Sequence, residues 1–292
     1  MNRHNLKKIV VVLYCLLLVS IIYSIFRVEH KIKAKETQTY QIKTYFTDSD
    51  FSYSSWKLTD KLQFTTNEYP PYAYTENGQA KGISYEIMVA VLDDMGLDYE
   101  IQFTSWARAV HLLDQGRTFG VFPAAISADR VEDYVFSDLL IDDKRNQSLV
   151  YEFDPSKTAK SRMNRVDELS FFKVGAVMSY YYLPDLESKG IDIDLCVDEI
   201  ECLTKLKDGK ISYAVLDPKV ADFYIDRVFS DFKDGFIKTD ITISHETVGD
   251  GLMLSQNNNL RAEFVKSFNN TLEKLNQNGT IEAITLKYET HK

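Results

Sequence analysis

The spacing of apolar positions changes character twice along the chain. From Ile9 to Phe26 apolar residues dominate 18 positions without a charge, and only hydroxyls and one thiol interrupt them. Residues 31–60 are polar, rich in Tyr, Ser, Thr and Lys, and carry no helical period. From Leu62 onward, short extended runs alternate with stripes of helical period. LQFTT (62–66) reads as a strand. GISYEIMVAVLDDMG (82–96) puts Ile83, Ile87, Met88, Val91, Leu92 and Met95 on one helical face and stops at Gly96. YEIQFTS (99–105) predicts a strand and WARAVHLLDQG (106–116) a helix with Ser105 as its cap. TFGVFPAA (118–125) predicts a third strand, and Ser127 a cap for the short helix after it. This βαβαβ order implies a parallel sheet.

A second α/β half follows the extended run SLVYEF (148–153). KVGAVM (173–178), IDIDLC (191–196) and YAVLD (213–217) predict strands. DEIECLTKLKDGK (198–210) predicts a helix opened by a capping box at Asp198 and Glu201. PKVADFYIDRVF (218–229) predicts another, with Pro at its first position. GLMLSQ (251–256) then leads into a long amphipathic helix carrying Leu260, Phe264, Phe268, Leu272 and Leu275. Two α/β halves joined by two extended crossings predict a two-lobed clamshell with a ligand cleft between the lobes.

The N-terminus stands apart from that body. Arg3, Lys7 and Lys8 precede the uncharged run, whose length just spans a bilayer as a helix and exceeds most signal-peptide apolar cores. Cleavage after Ser24 or Ala34 would leave an isoleucine three residues from the cut, where a small residue is needed. Residues 1–30 are therefore expected to be an uncleaved signal anchor, with a cleaved signal peptide as the alternative, and residues 31–60 a spacer.

Composition narrows the function. With 45% hydrophobic and 26% charged residues, the chain of 292 has the make-up of a globular protein with a full core. Of 34 basic and 43 acidic residues, residues 1–35 hold seven basic and one acidic, leaving the body with a net charge of −15. A body that acidic repels phosphate backbones, which argues against nucleic acid as a partner. The five histidines are scattered and no CxxC pair exists, so no metal or cofactor is expected. Cys196 and Cys202 are either a disulfide of an oxidising compartment or two half-buried thiols.

Seven motifs in order resemble the family 3 solute-binding proteins, whose best-known members bind polar amino acids for ABC transporters. They are EYPPYAYTENGQAKGISYEI (68–87), W-x-R-A (106–109), the strand from Gly116 to Pro123, SADRVEDYVFS (127–137), KVGAVMSYYY (173–182), GKISYAVLD (209–217) and LEKLNQNGTIEAITLKY (272–288). The resemblance spans residues 62–288 and implies an α/β fold of the type II periplasmic-binding-protein class, two βαβ lobes joined by two hinge strands. Its first lobe comprises residues 60–147 and 252–288 and its second 152–246, with hinges near Ser148–Tyr151 and Val248–Leu252. It further implies a periplasmic body, membrane-anchored by the N-terminal helix or soluble after signal cleavage. The implied partners are a small-molecule solute and an ABC permease or a membrane sensor.

The same resemblance nominates site residues, each with a plainer alternative. Tyr69 stands where the family lays a ring over the ligand, or packs within its lobe; Glu68 beside it takes an ammonium group or is a solvated acid. Trp106 and Arg108 open a helix at the C-terminal end of a strand, where open α/β sheets gather ligands; the alternatives are helix packing and surface exposure. Arg130 matches the arginine that grips a ligand carboxylate through a planar fork, or pairs with Asp129, Glu132 or Asp133. Ser179, Tyr180 and Tyr181 match a ligand-contact loop, and three consecutive tyrosines (Tyr180–Tyr182) cannot all pack inward. Asp217 aligns with the ammonium-binding aspartate and, preceding Pro218, is also an N-cap. The sequence departs from amino-acid binders in two places: Phe122-Pro123-Ala124-Ala125 lacks their hydroxyls, and Phe119 replaces an aspartate. The expected function is capture of a small polar, amino-acid-like solute between the lobes for transport or sensing. The alternative is an enzyme on this fold, a dehydratase of cyclic carboxylic acids, with Glu68 or Asp217 as its acid.

Overall fold

Leu62 and Phe64 are fully buried in a strand, β1 (Leu62–Thr66), that takes parallel partners on both edges. A strand covered on both faces needs such a continuous apolar run. In this computed structural model, which describes residues 60–141, 147–156, 163, 165–244, 247–257 and 260–289, β1 centres a five-stranded sheet. Its neighbours are β4 (Tyr99–Phe103) and β5 (Gly120–Ser127). Helix α1 (Ile83–Asp94) buries the face expected for it, with Met95 half-buried just beyond its end. It packs beside two later helices, α7 (Arg261–Gln277), which is the long amphipathic helix expected, and α8 (Thr280–Glu289). Phe264 of α7 meets Phe119 at 4.8 Å, and Phe64 meets Phe119 at 5.7 Å. Phe119 is thus a core residue of the first lobe, which accounts for an aromatic ring at that position.

The sheets are mixed rather than parallel. The first runs β4-β1-β5-β12-β6, where β6 is Tyr134–Phe136 and β12 (Thr247–Ser255) is antiparallel to both of its neighbours. Along β12, Leu252 and Leu254 join the core under α7 while Met253 joins the opposite one, the two-residue alternation of a strand. The second sheet runs β11-β7-β10-β8-β9. Its parallel trio is β8 (Lys173–Val177), β9 (Asp192–Cys196) and β10 (Tyr213–Leu216), flanked by antiparallel β7 (Gln147–Phe153) and β11 (Phe236–Ser244). The chain changes sheet between Ile141 and Gln147 and again between Ser244 and Thr247. Ser148–Tyr151 and Val248–Leu252, expected as hinges, are therefore strand residues of the second and first sheets. The anchor over residues 1–30 and the spacer, apart from Asp60, lie outside the described residues. Among the described residues no helix is long and apolar enough to cross a membrane.

Between β1 and α1 the structure adds a hairpin that the apolar pattern does not mark, β2 (Tyr74–Glu76) and β3 (Gln79–Lys81). Asn77 and Gly78 between them both have positive φ, 54° and 76°, the requirement of a tight two-residue turn. Gly82 anchors its exit: at φ 121° a Cβ there would lie 2.4 Å from the Tyr72 carbonyl oxygen. Ser105 and Ser127 precede their helices, α2 (Trp106–Asp114) and α3 (Ala128–Asp133), as expected, yet neither hydroxyl bonds to the helix end. The box at Asp198 does form: its carboxylate accepts from the Glu201 amide at 2.8 Å, and Glu201 accepts from the Val197 amide at 2.6 Å. It starts helix α5 (Glu199–Lys207).

Cys196 and Cys202 form a disulfide that ties the end of β9 to α5, with Cα atoms 5.5 Å apart. It rests against Gly175 of β8, where a Cβ would lie 3.3 Å from the Cys202 sulfur. Closing so short a loop contributes roughly 2 kcal/mol by chain entropy. Replacing both cysteines by alanine should lower unfolding stability by about that amount, read by urea denaturation, and leave untreated and reductant-treated variant superimposable.

Candidate functional site

The C-terminal ends of β1, β4 and β5 point toward the second sheet, and the segments that leave them carry the side chains that meet there. Asn67 and Tyr69 follow β1, Trp106 opens α2 after β4, and Arg130 sits on α3 after β5. From across the gap come Tyr180 and Tyr181, which follow β8, while Asp250 of β12 closes one side. Together with Pro123 and Ala125 they line a cavity of about 30 Å³, large enough to admit water.

Two donors of the first lobe converge on one acceptor of the second. Trp106, 4% exposed, donates from Nε1 to the Ser179 carbonyl at 2.9 Å. Arg130 donates from Nη2 to the same oxygen at 3.1 Å and from Nη1 to the Ala125 carbonyl at 3.1 Å. Its guanidinium lies 5.2 Å from the Trp106 ring centre, within cation–π range. A carbonyl has two lone pairs, and both are engaged by this pair. Ser179 has φ 64°, a left-handed conformation that costs a non-glycine residue on the order of 1–3 kcal/mol and recurs at ligand clamps.

The tyrosine run divides as its crowding requires. Tyr182 is fully buried and donates to the Val215 carbonyl at 2.7 Å, which pins the loop to the second core. Tyr181 shares a 3.2 Å hydrogen bond with Ser148. Tyr180 stands edge-on to Tyr69 at 6.1 Å and to Trp106 at 6.2 Å. Its hydroxyl donates to Glu199 at 2.5 Å and accepts from Asn67 at 3.5 Å. Burial raises the pKa of Tyr69, Tyr180 and Tyr181, so all three are neutral hydrogen-bonding groups at pH 7. Burial also pulls the Arg130 guanidinium below its ordinary value, while Asp250 and neighbouring tyrosines oppose that effect.

Of the nine residues singled out in the sequence, the cavity gathers Tyr69, Trp106, Arg130, Tyr180 and Tyr181, with Ser179 present through its carbonyl. Arg108 is not among them. It lies two positions beyond Trp106, about 200° around the helix, and is exposed where Trp106, Ala109 and Leu113 are buried. Glu68 turns to its own lobe and accepts from the amide and hydroxyl of Thr75 at 2.9 and 2.7 Å. Asp217 caps α6 (Pro218–Arg227) through bonds from the Lys219 and Val220 amides at 2.9 and 3.0 Å. It stays outside the cavity wall, but its charge raises the pKa of Tyr69 and Tyr181 on that wall.

Asn67 and Asp250 were missed in the sequence. Asn67 follows the end of β1, so the strand-end rule that selected Trp106 selects it too. Asp250 lies between Gly249 and Gly251 in what reads as a hinge, and only the β12 pairing shows it buried against the cleft. A second cavity of about 240 Å³ adjoins the first and shares Asn67, Trp106 and Tyr180 as its wall.

Comparison with known proteins matches residues 63–291 to the family described as bacterial extracellular solute-binding proteins, family 3. No curated sequence matches the chain. Among solved structures, the arginine-, lysine-, histidine-binding protein ArtJ from Geobacillus stearothermophilus is similar at 17% identity and TM-score 0.63, over 78% of this chain and 95% of that one. A histidine kinase sensor domain with similarity to periplasmic binding proteins matches at 19% identity and TM-score 0.65, over 79% of this chain and 96% of that one. A periplasmic His/Glu/Gln/Arg/opine family-binding protein from Silicibacter pomeroyi, in complex with lysine, matches at 16% identity and TM-score 0.62, over 78% and 96%. At these identities the likenesses speak to the fold.

Proposed function

The chain belongs to family 3 of the bacterial extracellular solute-binding proteins, and from that premise we infer that it captures a small, amino-acid-like solute in the cleft between its lobes, in the periplasm. The observation that carries this reading is the convergence of Trp106 and Arg130 on the Ser179 carbonyl. A half-buried, charged, bidentate donor satisfied by a neutral carbonyl of the opposite lobe stands where a solute carboxylate is the stronger acceptor. The solute enters when the lobes part and replaces that carbonyl, and closing then offers it contacts from both sides. Asp217, at the head of α6, receives the ammonium end. The cleft binds and releases its occupant unchanged.

The 18-residue uncharged run near the N-terminus supports a body tethered to the membrane rather than freed by cleavage. A tether keeps the lobes beside their reader, either an ABC permease or a membrane sensor.

Thermal unfolding of the full-length protein against amino acids, polyamines and small carboxylates tests the reading, since a bound solute raises apparent stability by mass action. Amino acids should raise the midpoint and carboxylates lacking an ammonium group should do so less. Asp217→Asn, still able to accept from both capping amides, should keep its stability within about 0.5 kcal/mol and weaken amino-acid binding more than about tenfold. Normal binding by that variant would make Asp217 a cap alone.

A further inference from the structure

Beyond the Trp106 and Tyr180 rings, the 240 Å³ cavity is walled by three acids, Glu68, Asp198 and Glu199, and no basic residue lines it. Glu68 and Asp198 hold their places through the Thr75 and Glu201 bonds already described. Glu199 differs from both. It is only 1% exposed, the Tyr180 hydroxyl donates to its Oε1 at 2.5 Å, and its Oε2 is buried without a hydrogen-bond partner. A buried carboxyl with an unfilled oxygen costs about 1–3 kcal/mol or more, so its retention calls for a partner. The loop presenting it is held from both ends: the disulfide closes residues 196–202, and the Asp198–Glu201 box fixes the start of α5.

We propose that this cavity is a subsite for the cationic arm of the solute, an alkylammonium or guanidinium group, with Glu199 as its counter-charge and Tyr180 as the residue coupling it to the cleft. The proposal rests on the solute-binding reading above and adds the far end of the solute to it. Arg130 holds the anionic head in the first cavity, and the arm passes the shared wall of Asn67, Trp106 and Tyr180 into the second. Geometry makes the two ends cooperate, because Tyr180 borders both cavities and already donates to Glu199.

Protonation gives the subsite a signature. Burial raises the Glu199 pKa to about 8, and the Tyr180 hydroxyl and the residue's own amide offset only part of that rise. The groups around it are Tyr180 and Tyr182 after β8, Asp198 at its own helix start, Asp217 and Tyr224 on α6, and Glu68 after β1. None of these carries a positive charge that would favour the ionised carboxylate. At pH 7 the empty site therefore holds a proton, and an arriving cation displaces it.

Isothermal titration of the full-length protein at pH 7 with isosteric pairs, L-arginine against L-citrulline and L-lysine against L-norleucine, tests this. Each titration is run in Tris and in PIPES, whose different ionisation heats reveal proton exchange. At least one cationic member should bind more than about tenfold tighter than its neutral partner and release close to one proton, while the neutral partner releases none. Glu199→Gln should remove both the preference and the proton release and leave the neutral partner's affinity within about threefold. Equal affinity within both pairs, or a preference that survives Glu199→Gln, overturns the subsite and leaves solute binding standing. Failure of all four amino acids to bind, with none active in the thermal screen, overturns both.

Discussion

Arg130→Ala is expected to weaken solute binding by roughly thirty-fold to several thousand-fold, the largest loss of any single substitution at the cleft. Removing one partner of a desolvated, hydrogen-bonded charge pair costs about 2–5 kcal/mol, and each 1.4 kcal/mol is a factor of ten in affinity. An opposing effect exists. Arg130 also bonds the Ser179 carbonyl across the cleft, so its loss frees the lobes to open and removes a competitor to the solute. A hydrogen bond involving one charged group contributes about 1.5–3 kcal/mol, less than the bidentate grip on a carboxylate, and Trp106 still holds the same carbonyl at 2.9 Å. The loss of affinity therefore wins. Titration with the best amino acid of the thermal screen measures it, and small-angle scattering of the solute-free variant should show expansion. Arg130→Lys should recover only part of the affinity, because an ammonium cannot reach two acceptors in one plane. Unchanged affinity in Arg130→Ala would place the carboxylate elsewhere.

How far the sequence reached depends on the range of each signal. Period and capping are local, and they located β1, α1 and the Asp198 box almost to the residue. Strand direction is not local. SLVYEF and GLMLSQ read as extended, yet nothing within them says that β7 and β12 run antiparallel to their neighbours, because that follows from where the chain re-enters each sheet. The same division separates the cleft residues. Tyr69, Trp106 and Arg130 lie in motifs whose order resembled a family, and strand ends brought them to one place. Arg108 shares the W-x-R-A motif but not the helical face. Asp250 lies between two glycines and Glu199 in the acidic run DEIE, and only tertiary packing buries these two. Asp217 carried two readings from the outset. The capping bonds establish one of them, and the other turns on solute binding.

Glu199 should also make the empty protein lose stability as pH rises. Its carboxyl ordinarily titrates at 4.5 and is pushed up to about 8 in the fold, chiefly by burial. The folded state thus holds a proton that the unfolded chain gives up. The contribution is fully present below about pH 4.5, falls as pH climbs toward 8, and levels off once both states are ionised. Its full size is on the order of 5 kcal/mol, since one pKa unit corresponds to about 1.4 kcal/mol. Asp198, Asp217 and Glu68 are carboxylates around the same group, and Tyr180, Tyr182 and Tyr224 are neutral throughout the window because burial raises them. Other groups titrate in the same range, so the quantity to follow is the difference between wild type and Glu199→Gln, in which they cancel. Glutamine keeps an acceptor for the Tyr180 hydroxyl and carries no charge at any pH. Urea unfolding at pH 5, 7 and 9 should show the two proteins within about 1 kcal/mol at pH 5, with the variant pulling ahead by several kcal/mol at pH 9. A cationic solute that pairs with Glu199 should shrink this gap by stabilising the wild type preferentially at high pH, since the ionised carboxylate is the form it binds. A difference that stays flat from pH 5 to pH 9 would mean that Glu199 ionises freely in the fold, and the buried, half-satisfied carboxyl would then have no energetic consequence.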